Sequence, residues 1–312
     1  MQNYSPPKLL FNRHLETIYP SLFRKVNSVI YKRERIITQD DDFLDLDWLK
    51  QNSSKLVIIS HGLEGNSTRA YIKGMAKAFY NQGYDTLAWN YRGCSEELNK
   101  QLRFYHSGAT DDLDLVINHS SKNYDEVYLI GFSLGGNLTL KYLGEKSQLT
   151  NTKIKRAVTF SVPMDLHTSC LQISKPYNWI YANRFLKSLK LKIRSKAAIM
   201  QGISLTGIDQ IKTLLDFDEQ YTAPIHGFDG ALDYYHKSSS VHFLSRIKIP
   251  ALIVSAQNDP FLSAECFPDL GGHSHILFER PTHGGHVGFS RFDKSGLYWS
   301  ELRALEFIQN HD

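Results

Sequence analysis

The sequence predicts an α/β protein whose central sheet is mostly parallel, flanked by helices and interrupted by a helical insertion before the penultimate strand. Short, continuously apolar segments alternate with segments of helical periodicity, which is typical of parallel strands buried on both faces. Almost ninety residues between Val162 and Pro250 show helical patterns without clear strand patterns. A crossover between parallel strands needs only about a dozen residues, so the excess predicts an insertion.

Apolar segments predict the strands in chain order: Leu56–Ile59, Thr86–Trp89, Val127–Ile130, Ala157–Val162, Ala251–Val254 and His275–Phe278. Helical periodicity predicts the helices that flank them: Ala70–Gln82, Thr110–His119, Leu134–Leu143 and Leu297–Gln309. Two alternating segments on either side of three aspartates predict an antiparallel hairpin ahead of the sheet: Arg33–Thr38 and Phe43–Trp48.

Length and composition place the chain among globular proteins. Its 312 residues are 42% hydrophobic and 22% charged, which excludes a disordered chain or a coiled coil. Length alone favours two domains, but the pattern predicts a single domain over 1–312 with a helical cap inserted at 163–245. Three widely spaced cysteines form no disulfide framework and favour a reducing compartment.

The small net charge predicts a protein that does not bind nucleic acid, and the lack of a recognisable targeting signal predicts a cytoplasmic one. The net charge of +4 is too small to indicate a nucleic-acid partner. Residues 1–10 lack the charged-then-apolar order of a signal peptide. No apolar stretch approaches the length of about 18 residues that a transmembrane helix needs.

The positive charge is local, because six basic side chains follow one another in the insertion without an acid between them: Arg184, Lys187, Lys190, Lys192, Arg194 and Lys196. Apolar residues recur among them at helical spacing: Trp179, Leu186, Leu189 and Ile193. We interpret this segment as a solvated helix that packs its apolar face on the cap. Transient contact of the basic segment with lipid or acyl substrate is the alternative.

The strongest chemical signal surrounds Ser133. The segment Gly131–Gly135 matches G-x-S-x-G and lies between an apolar strand and an apolar-periodic helix, as a nucleophile elbow does. Such a turn projects the hydroxyl beyond the sheet, and side chains at both glycine positions would collide in it. A glycine-rich turn that only packs a helix against a strand is the alternative. A phosphate-binding P-loop is excluded because Asn137 stands where it needs lysine.

A serine nucleophile needs a base, and the base needs an acid that orients it. After such an elbow the chain order is serine, acid, histidine. We predict Asp259, which follows the strand at Ala251–Val254, as the acid, and Asp165 is the alternative. We predict His286 as the base because it lies in a loop after the last strand. His283 in the same loop is the alternative.

The tetrahedral intermediate of such a reaction needs two donors for its oxyanion. The backbone N–H of Leu134, directly after the serine, is one predicted donor. The other is expected in the loop His61–Gly65 after the first buried strand, where we predict the backbone N–H of Leu63. This chemistry needs no cofactor and no metal ion, and the sequence has no His/Cys cluster with zinc spacing.

Further segments are spread over nearly the whole chain: Asn12–Ile18, His61–Leu63, Asn90–Ser95, Tyr105–Gly108, Gly131–Asn137, Tyr221–Pro224, Gly227–Phe228 and Gly284–Phe289. Together they resemble the α/β-hydrolase superfamily, and more narrowly its YheT-like branch, also called AB hydrolase 4. The resemblance implies the α/β-hydrolase fold, the triad Ser133, Asp259 and His286, and an acyl chain of short to medium length. Glu64 departs from the pattern, because a small or hydroxyl residue is expected there.

Three weaker features have structural interpretations. His106 and Asp111 form an H-x₄-D pattern, which carries acyl transfer in some enzymes, but their position at a helix entry favours capping and loop support. The run Asp40–Asp42 lacks the glycine and glutamate of a calcium loop and favours a hairpin turn. Cys94 has no local cue for a reactive thiolate, which favours a structural thiol.

The sequence therefore predicts a serine carboxylester hydrolase that acts through an acyl-enzyme on a small acyl-ester substrate. Transfer of the acyl group to an alcohol by the same residues is the alternative. A non-catalytic binding protein of this fold is disfavoured, because every member of the triad has a candidate. A dehalogenase is disfavoured because it would need aspartate in place of Ser133.

Overall fold

The computed structural model describes residues 4–147 and 153–310, which form an eight-stranded sheet of order β1-β2-β4-β3-β5-β6-β7-β8. The strands are β1 Lys32–Ile37, β2 Phe43–Leu49, β3 Lys55–Ser60, β4 Asp85–Asn90, β5 Glu126–Phe132, β6 Ile154–Phe160, β7 Ala251–Val254 and β8 Ile276–Glu279. β2 is antiparallel to both of its neighbours, and the other pairs are parallel. The predicted hairpin and the mostly parallel sheet are confirmed.

Helices precede the sheet in the chain, cover both of its faces and fill the segment between β6 and β7. They are α1 Arg13–Phe23, α2 Ala70–Tyr80, α3 Thr110–Ser120, α4 Leu134–Glu145, α5 Leu166–Ile173, α6 Trp179–Ala197, α7 Leu214–Phe217, α8 Ala223–Ile225, α9 Ala231–Ser238 and α10 Trp299–Gln309. α2 and α10 pack on one face, whereas α3 and α4 pack on the other. Within the described ranges, no helix combines the length and apolarity needed to cross a bilayer.

Burial of apolar side chains explains why these segments take up their predicted structures. Leu56, Val57, Ile58 and Ile59 of β3 are all buried, as expected of a strand covered on both faces. Gly83, just after α2, has φ +87°, a left-handed conformation that ends a helix at little cost when the residue is glycine.

The helix α1 is absent from the prediction. Its N-terminus is capped by Asn12, whose side-chain oxygen accepts hydrogen bonds from the amides of His14 and Leu15 at 3.0 Å. Pro20 lies inside the helix, where it removes a backbone donor and weakens the helical pattern of the sequence. Tertiary contacts described below hold α1 in place.

The residues 163–245, all of which are described, contain α5 to α9 and no strand, as the insertion pattern predicts. A separate apolar cluster forms inside this segment and includes Leu186, Ile193, Leu214, Phe217 and Tyr221. The division of the chain into one domain with a cap of these bounds stays a prediction.

The expectation of a solvated basic face on α6 is wrong in part. Lys196 is buried and donates to Asn99 Oδ1 at 2.9 Å, and burial lowers the pKa of its ammonium group to about 7. Lys192 is also directed inward, whereas Arg184 and Lys187 are exposed. Trp179, expected on the apolar face, is 60% exposed, because the burying contacts begin one turn later at Ala182.

The aspartates of the hairpin form a turn, as predicted, and they also bind an arginine. Arg92 donates to Asp42 at 2.9 Å, to Asp40 at 2.8 Å and to Asp112 at 2.8 Å. Arg92 and Asp42 are both buried, so the ion pair fixes the hairpin against the loop after β4 and the start of α3. Such a pair is costly to break from one side, because a buried charge then loses its partner.

We predict that Arg92→Leu lowers the free energy of unfolding by about 3–5 kcal/mol, because it leaves the buried Asp42 and Asp112 without their cation. Urea unfolding followed by circular dichroism measures the loss. The exposed Arg280→Leu serves as the control and should change stability by less than about 0.5 kcal/mol. Equal effects of both substitutions would contradict the interpretation.

Candidate active site

The turn between β5 and α4 holds Ser133 in a strained conformation. Ser133 has φ +53° and ψ −120°, which non-glycine residues rarely adopt. A Cβ atom at Gly131 would lie 2.4 Å from the carbonyl oxygen of Gly135, and one at Gly135 would lie 2.4 Å from that of Ser60. Both flanking positions therefore exclude a side chain. The clash at Gly131 is within the turn, as the motif predicts, whereas the clash at Gly135 is with the end of β3.

A continuous chain of hydrogen bonds links Ser133 to His286 and Asp259. His286 Nε2 lies 2.9 Å from Ser133 Oγ, and His286 Nδ1 lies 2.9 Å from Asp259 Oδ2. Asp259 is buried and also accepts a bond from the amide of Phe261 at 2.9 Å. The ring of Phe261 packs on that of His286 with centroids 4.1 Å apart. The arrangement allows His286 to take the serine proton while Asp259 orients the imidazole.

The structure places the two alternative residues elsewhere. His283 is 47% exposed and lies 3.3 Å from Glu16. Asp165 caps α5, where its Oδ1 accepts bonds from the amide and hydroxyl of Thr168 at 2.9 and 2.8 Å. Neither is part of the chain of hydrogen bonds to Ser133.

The loop that carries His286 is held by α1, a contact that the sequence analysis missed. The buried Glu16 accepts a hydrogen bond from the amide of Gly284 at 2.5 Å and is bonded by Asn258 Nδ2 at 3.1 Å. The hydroxyl of Thr17 accepts the amide of His286 at 2.9 Å. The segment Asn12–Ile18 contributes to the family resemblance, but nothing in its local pattern assigns Glu16 and Thr17 this positioning role.

The loop after β3 lies against Ser133. A Cβ atom at Gly62 would be only 3.2 Å from Ser133 Cβ. The amide of Gly62 donates to Tyr71 Oη at 3.0 Å, and that of Glu64 donates to Tyr105 Oη at 2.9 Å. The amide of Leu63 between them donates to no acceptor among the described residues.

The amide of Leu134, at the first position of α4, is likewise without an acceptor among the described residues. His61 holds the loop after β3 in place, because its Nδ1 is 2.8 Å from Gly62 O and its Nε2 accepts the amide of Tyr91 at 3.3 Å. Burial lowers the pKa of His61 to about 3, so the ring is neutral in this role. The structure thus leaves the two predicted oxyanion donors free beside Ser133.

Glu64, the departure from the family pattern, belongs to a buried ionic cluster. Its φ of +51° is unusual for a side chain of this size. The Glu64 carboxylate binds Lys192 Nζ at 2.6 Å and accepts the Tyr105 hydroxyl at 2.7 Å. Burial disfavours the charge of Glu64, but Lys192 together with the hydroxyls of Ser188 and Tyr105 outweighs that effect and lowers the pKa of the carboxyl group. The cluster connects α6 to the loop that carries Leu63.

Two cavities reach Ser133 from different sides. The first, which we call the cap cavity, extends into the insertion and is lined by residues that include Leu63, Leu134, Phe104, Leu166, Phe217 and Tyr221. The second, which we call the α1–α6 cavity, lies between those helices and is lined by residues that include Ile18, Leu22, Arg69, Ile180, Arg184 and His286.

The residues of the weaker sequence features, His106, Asp111 and Cys94, lie in three different environments. His106 lines the cap cavity, and burial lowers the pKa of its imidazole well below the usual value. Asp111 is exposed and pairs with Arg103 at 2.8 Å, so the H-x₄-D residues do not act as a pair. Cys94 is buried 3.5 Å from Lys192 Nζ, and burial raises the pKa of its thiol to about 11.

The parallel sheet and the strained serine turn at the end of β5 define the class of α/β hydrolases. A family model described as alpha/beta hydrolase fold matches residues 55–291. The chain therefore belongs to the alpha/beta hydrolase family, and its relatives make it an esterase- or lipase-like member.

Within the family the chain is similar to the protein named "Putative esterase YheT" of Escherichia coli (strain K12), with 31% identity over 92% of this chain and 86% of that protein. This similarity confirms the resemblance to the YheT-like branch. The chain is also 27% identical to phospholipase ABHD3 of Bos taurus, over 92% of this chain and 73% of that protein. The solved structure of the Pyrococcus furiosus esterase Pf2001 has a TM-score of 0.59 at 16% identity, over 90% of this chain and 91% of that chain, and shares the fold.

We predict that Lys192→Met lowers the free energy of unfolding by about 3–5 kcal/mol, because Glu64 then stays buried without a counter-charge. Replacing both partners, with Glu64→Gln and Lys192→Met together, should recover much of the loss. Denaturant unfolding of the single and double variants measures this coupling. Lys187→Met, on the exposed side of α6, is the control, and a loss of the same size there would refute the role of the ion pair.

Proposed function

We propose that the protein is a serine carboxylester hydrolase that cleaves short- to medium-chain acyl esters through an acyl-enzyme. The observation that carries the proposal is the hydrogen-bonded chain in which His286 lies 2.9 Å from both Ser133 Oγ and Asp259 Oδ2. The names of two relatives, an esterase and a phospholipase, support an ester as the substrate.

In the first step, Ser133 Oγ attacks the acyl carbonyl carbon while its proton passes to His286 Nε2. Asp259 accepts the Nδ1–H of the resulting imidazolium and stabilises its charge. The free amides of Leu63 and Leu134 bind the oxyanion of the tetrahedral intermediate. Collapse of the intermediate breaks the bond to the alkoxy oxygen, which takes the proton from His286 and leaves as the alcohol.

Water completes the cycle. His286 removes a proton from a water molecule, whose oxygen attacks the carbonyl of the acyl-enzyme. The ester bond to Ser133 then breaks, the proton returns to Ser133 Oγ, and the carboxylic acid leaves. No residue changes oxidation state, and the same imidazole serves both half-reactions as base and acid.

The cap cavity supports binding of the acyl chain. Its wall is mostly apolar and includes Phe104, Leu166 and Phe217 from the loop before α3 and from the insertion. Apolar contact of this kind stabilises an alkyl chain by about 0.8 kcal/mol for each methylene that leaves water. Asp218, which also lines the cavity, accepts the Tyr235 hydroxyl at 2.6 Å, and burial raises the pKa of its carboxyl group to about 6.

Acyl transfer to an alcohol is a second candidate, because the α1–α6 cavity gives space beside His286 for an attacking alcohol. The two reactions share the acyl-enzyme and differ in whether water or alcohol attacks it. A series of nitrophenyl esters of increasing chain length, incubated with and without ethanol, distinguishes them. Hydrolysis yields only the free acid, whereas transfer yields the ethyl ester.

We predict that a fluorophosphonate probe labels the native protein at Ser133, because His286 withdraws the hydroxyl proton during attack on phosphorus. Ser133→Ala should show no labelling, and mass spectrometry of tryptic peptides should locate the adduct. The exposed Ser274 is not part of the hydrogen-bonded chain of Ser133, His286 and Asp259, so Ser274→Ala is the control and should be labelled as strongly as the native protein. Equal labelling of the native and Ser133→Ala proteins would overturn the assignment.

We predict that His286→Ala lowers kcat/KM for a nitrophenyl ester by at least about a thousandfold, because it removes the base. His283→Ala should lower it by less than tenfold, since its exposed ring contacts Glu16 rather than Ser133. Steady-state kinetics on both variants, with circular dichroism to verify folding, tests the ranking. The reverse ranking would move the base to His283.

A further inference from the structure

The two cavities at Ser133 differ in which groups of the proposed mechanism line them. Leu134, an oxyanion donor of that mechanism, lines the cap cavity but not the α1–α6 cavity. His286 lines the α1–α6 cavity but not the cap cavity. Ser133 and Leu63 line both, so the two cavities meet at the point where the ester bond must lie.

This asymmetry orients the substrate, provided that the proposed hydrolase mechanism holds. The leaving alkoxy oxygen must lie beside His286 Nε2, because that atom protonates it. The carbonyl oxygen must lie against the amides of Leu63 and Leu134. The alcohol portion of the ester therefore extends into the α1–α6 cavity while the acyl chain occupies the cap cavity.

The α1–α6 cavity carries an excess of positive charge. Arg69 and Arg184 line it, and neither guanidinium is paired with a carboxylate of the described residues. Arg24 also lines the cavity, but it is neutralised by Glu301 at 2.5 Å. Glu64 is the acid on this wall whose charge could oppose an anion, and Lys192 neutralises it at 2.6 Å.

We propose that Arg69 and Arg184 bind an anionic group on the alcohol portion of the substrate, such as a phosphate ester. A guanidinium presents several donors in a plane and binds two oxygens of a phosphate together. Arg69 is the N-cap residue of α2 and Arg184 lies on α6, so two separate elements bring their guanidinium groups to the same cavity. Ile18, Leu22 and Ile180 provide apolar contact along the same cavity.

Binding to the Ser133→Ala protein tests this site without turnover. The two ligands are 1-octanoylglycerol and 1-octanoylglycerol 3-phosphate, which share the acyl chain and differ in charge, at concentrations below micelle formation. Titration calorimetry should show tighter binding of the phosphate, with the difference decreasing as salt is added. Arg69→Gln and Arg184→Gln, each in the Ser133→Ala background, should reduce the phosphate preference by about tenfold.

Lys187→Gln is the matched control, because Lys187 is an exposed base on α6 that does not line the cavity. It should leave the ratio of the two dissociation constants unchanged. Equal binding of both ligands, or a ratio that neither arginine substitution alters, would overturn the site. Failure of the native protein to hydrolyse any ester would instead overturn the proposed function, so the two ideas fail on different measurements.

Discussion

Close contact between the turn that carries Ser133 and the loop after β3 constrains the whole candidate site. β3 and β5 pair in parallel with Ser60 opposite Gly131, which brings both strand ends to the same edge of the sheet. The missing side chain of Gly135 lets α4 begin against the carbonyls of Ser60 and His61, where a Cβ would lie 2.4 and 2.6 Å away. The strained backbone of Ser133 costs about 1–3 kcal/mol, and the surrounding sheet and helix supply that energy.

A second constraint joins the insertion to the body of the protein. The Glu64–Lys192 pair, 2.6 Å apart, connects α6 to the loop that carries the amide of Leu63. Tyr105 binds both the amide and the carboxylate of Glu64, so the loop cannot shift without breaking several bonds at once. Displacing α6 would separate buried charges, which is costly. The position of the insertion and the position of the Leu63 amide are therefore coupled.

The elements that sequence alone could predict are those with short-range causes. Leu56–Ile59 of β3 are apolar because they are buried on both faces, and Gly131 is required by a contact within its own turn. Gly135 belongs to the same local motif, but the contact that requires it is with the distant carbonyl of Ser60. Glu16 depends on a contact with Gly284 that is 268 residues distant along the chain, and no local pattern encodes such a partner. The proline in α1 weakened the helical pattern further. Tertiary contacts, rather than propensity, hold this helix.

The basic residues of α6 are a second case in which the sequence pattern does not show what each side chain contacts. A helix turns about 100° per residue, so neighbouring bases in one run face different surroundings. Lys196 reaches a buried amide, Lys192 a buried carboxylate, and Arg184 the cavity beside His286. Lys196 and Lys192 hold the insertion in place. Glu64 neutralises the charge of Lys192, and burial lowers the pKa of Lys196. The charge of Arg184 has no such partner among the described residues, and it lines the cavity that we propose for the leaving alcohol.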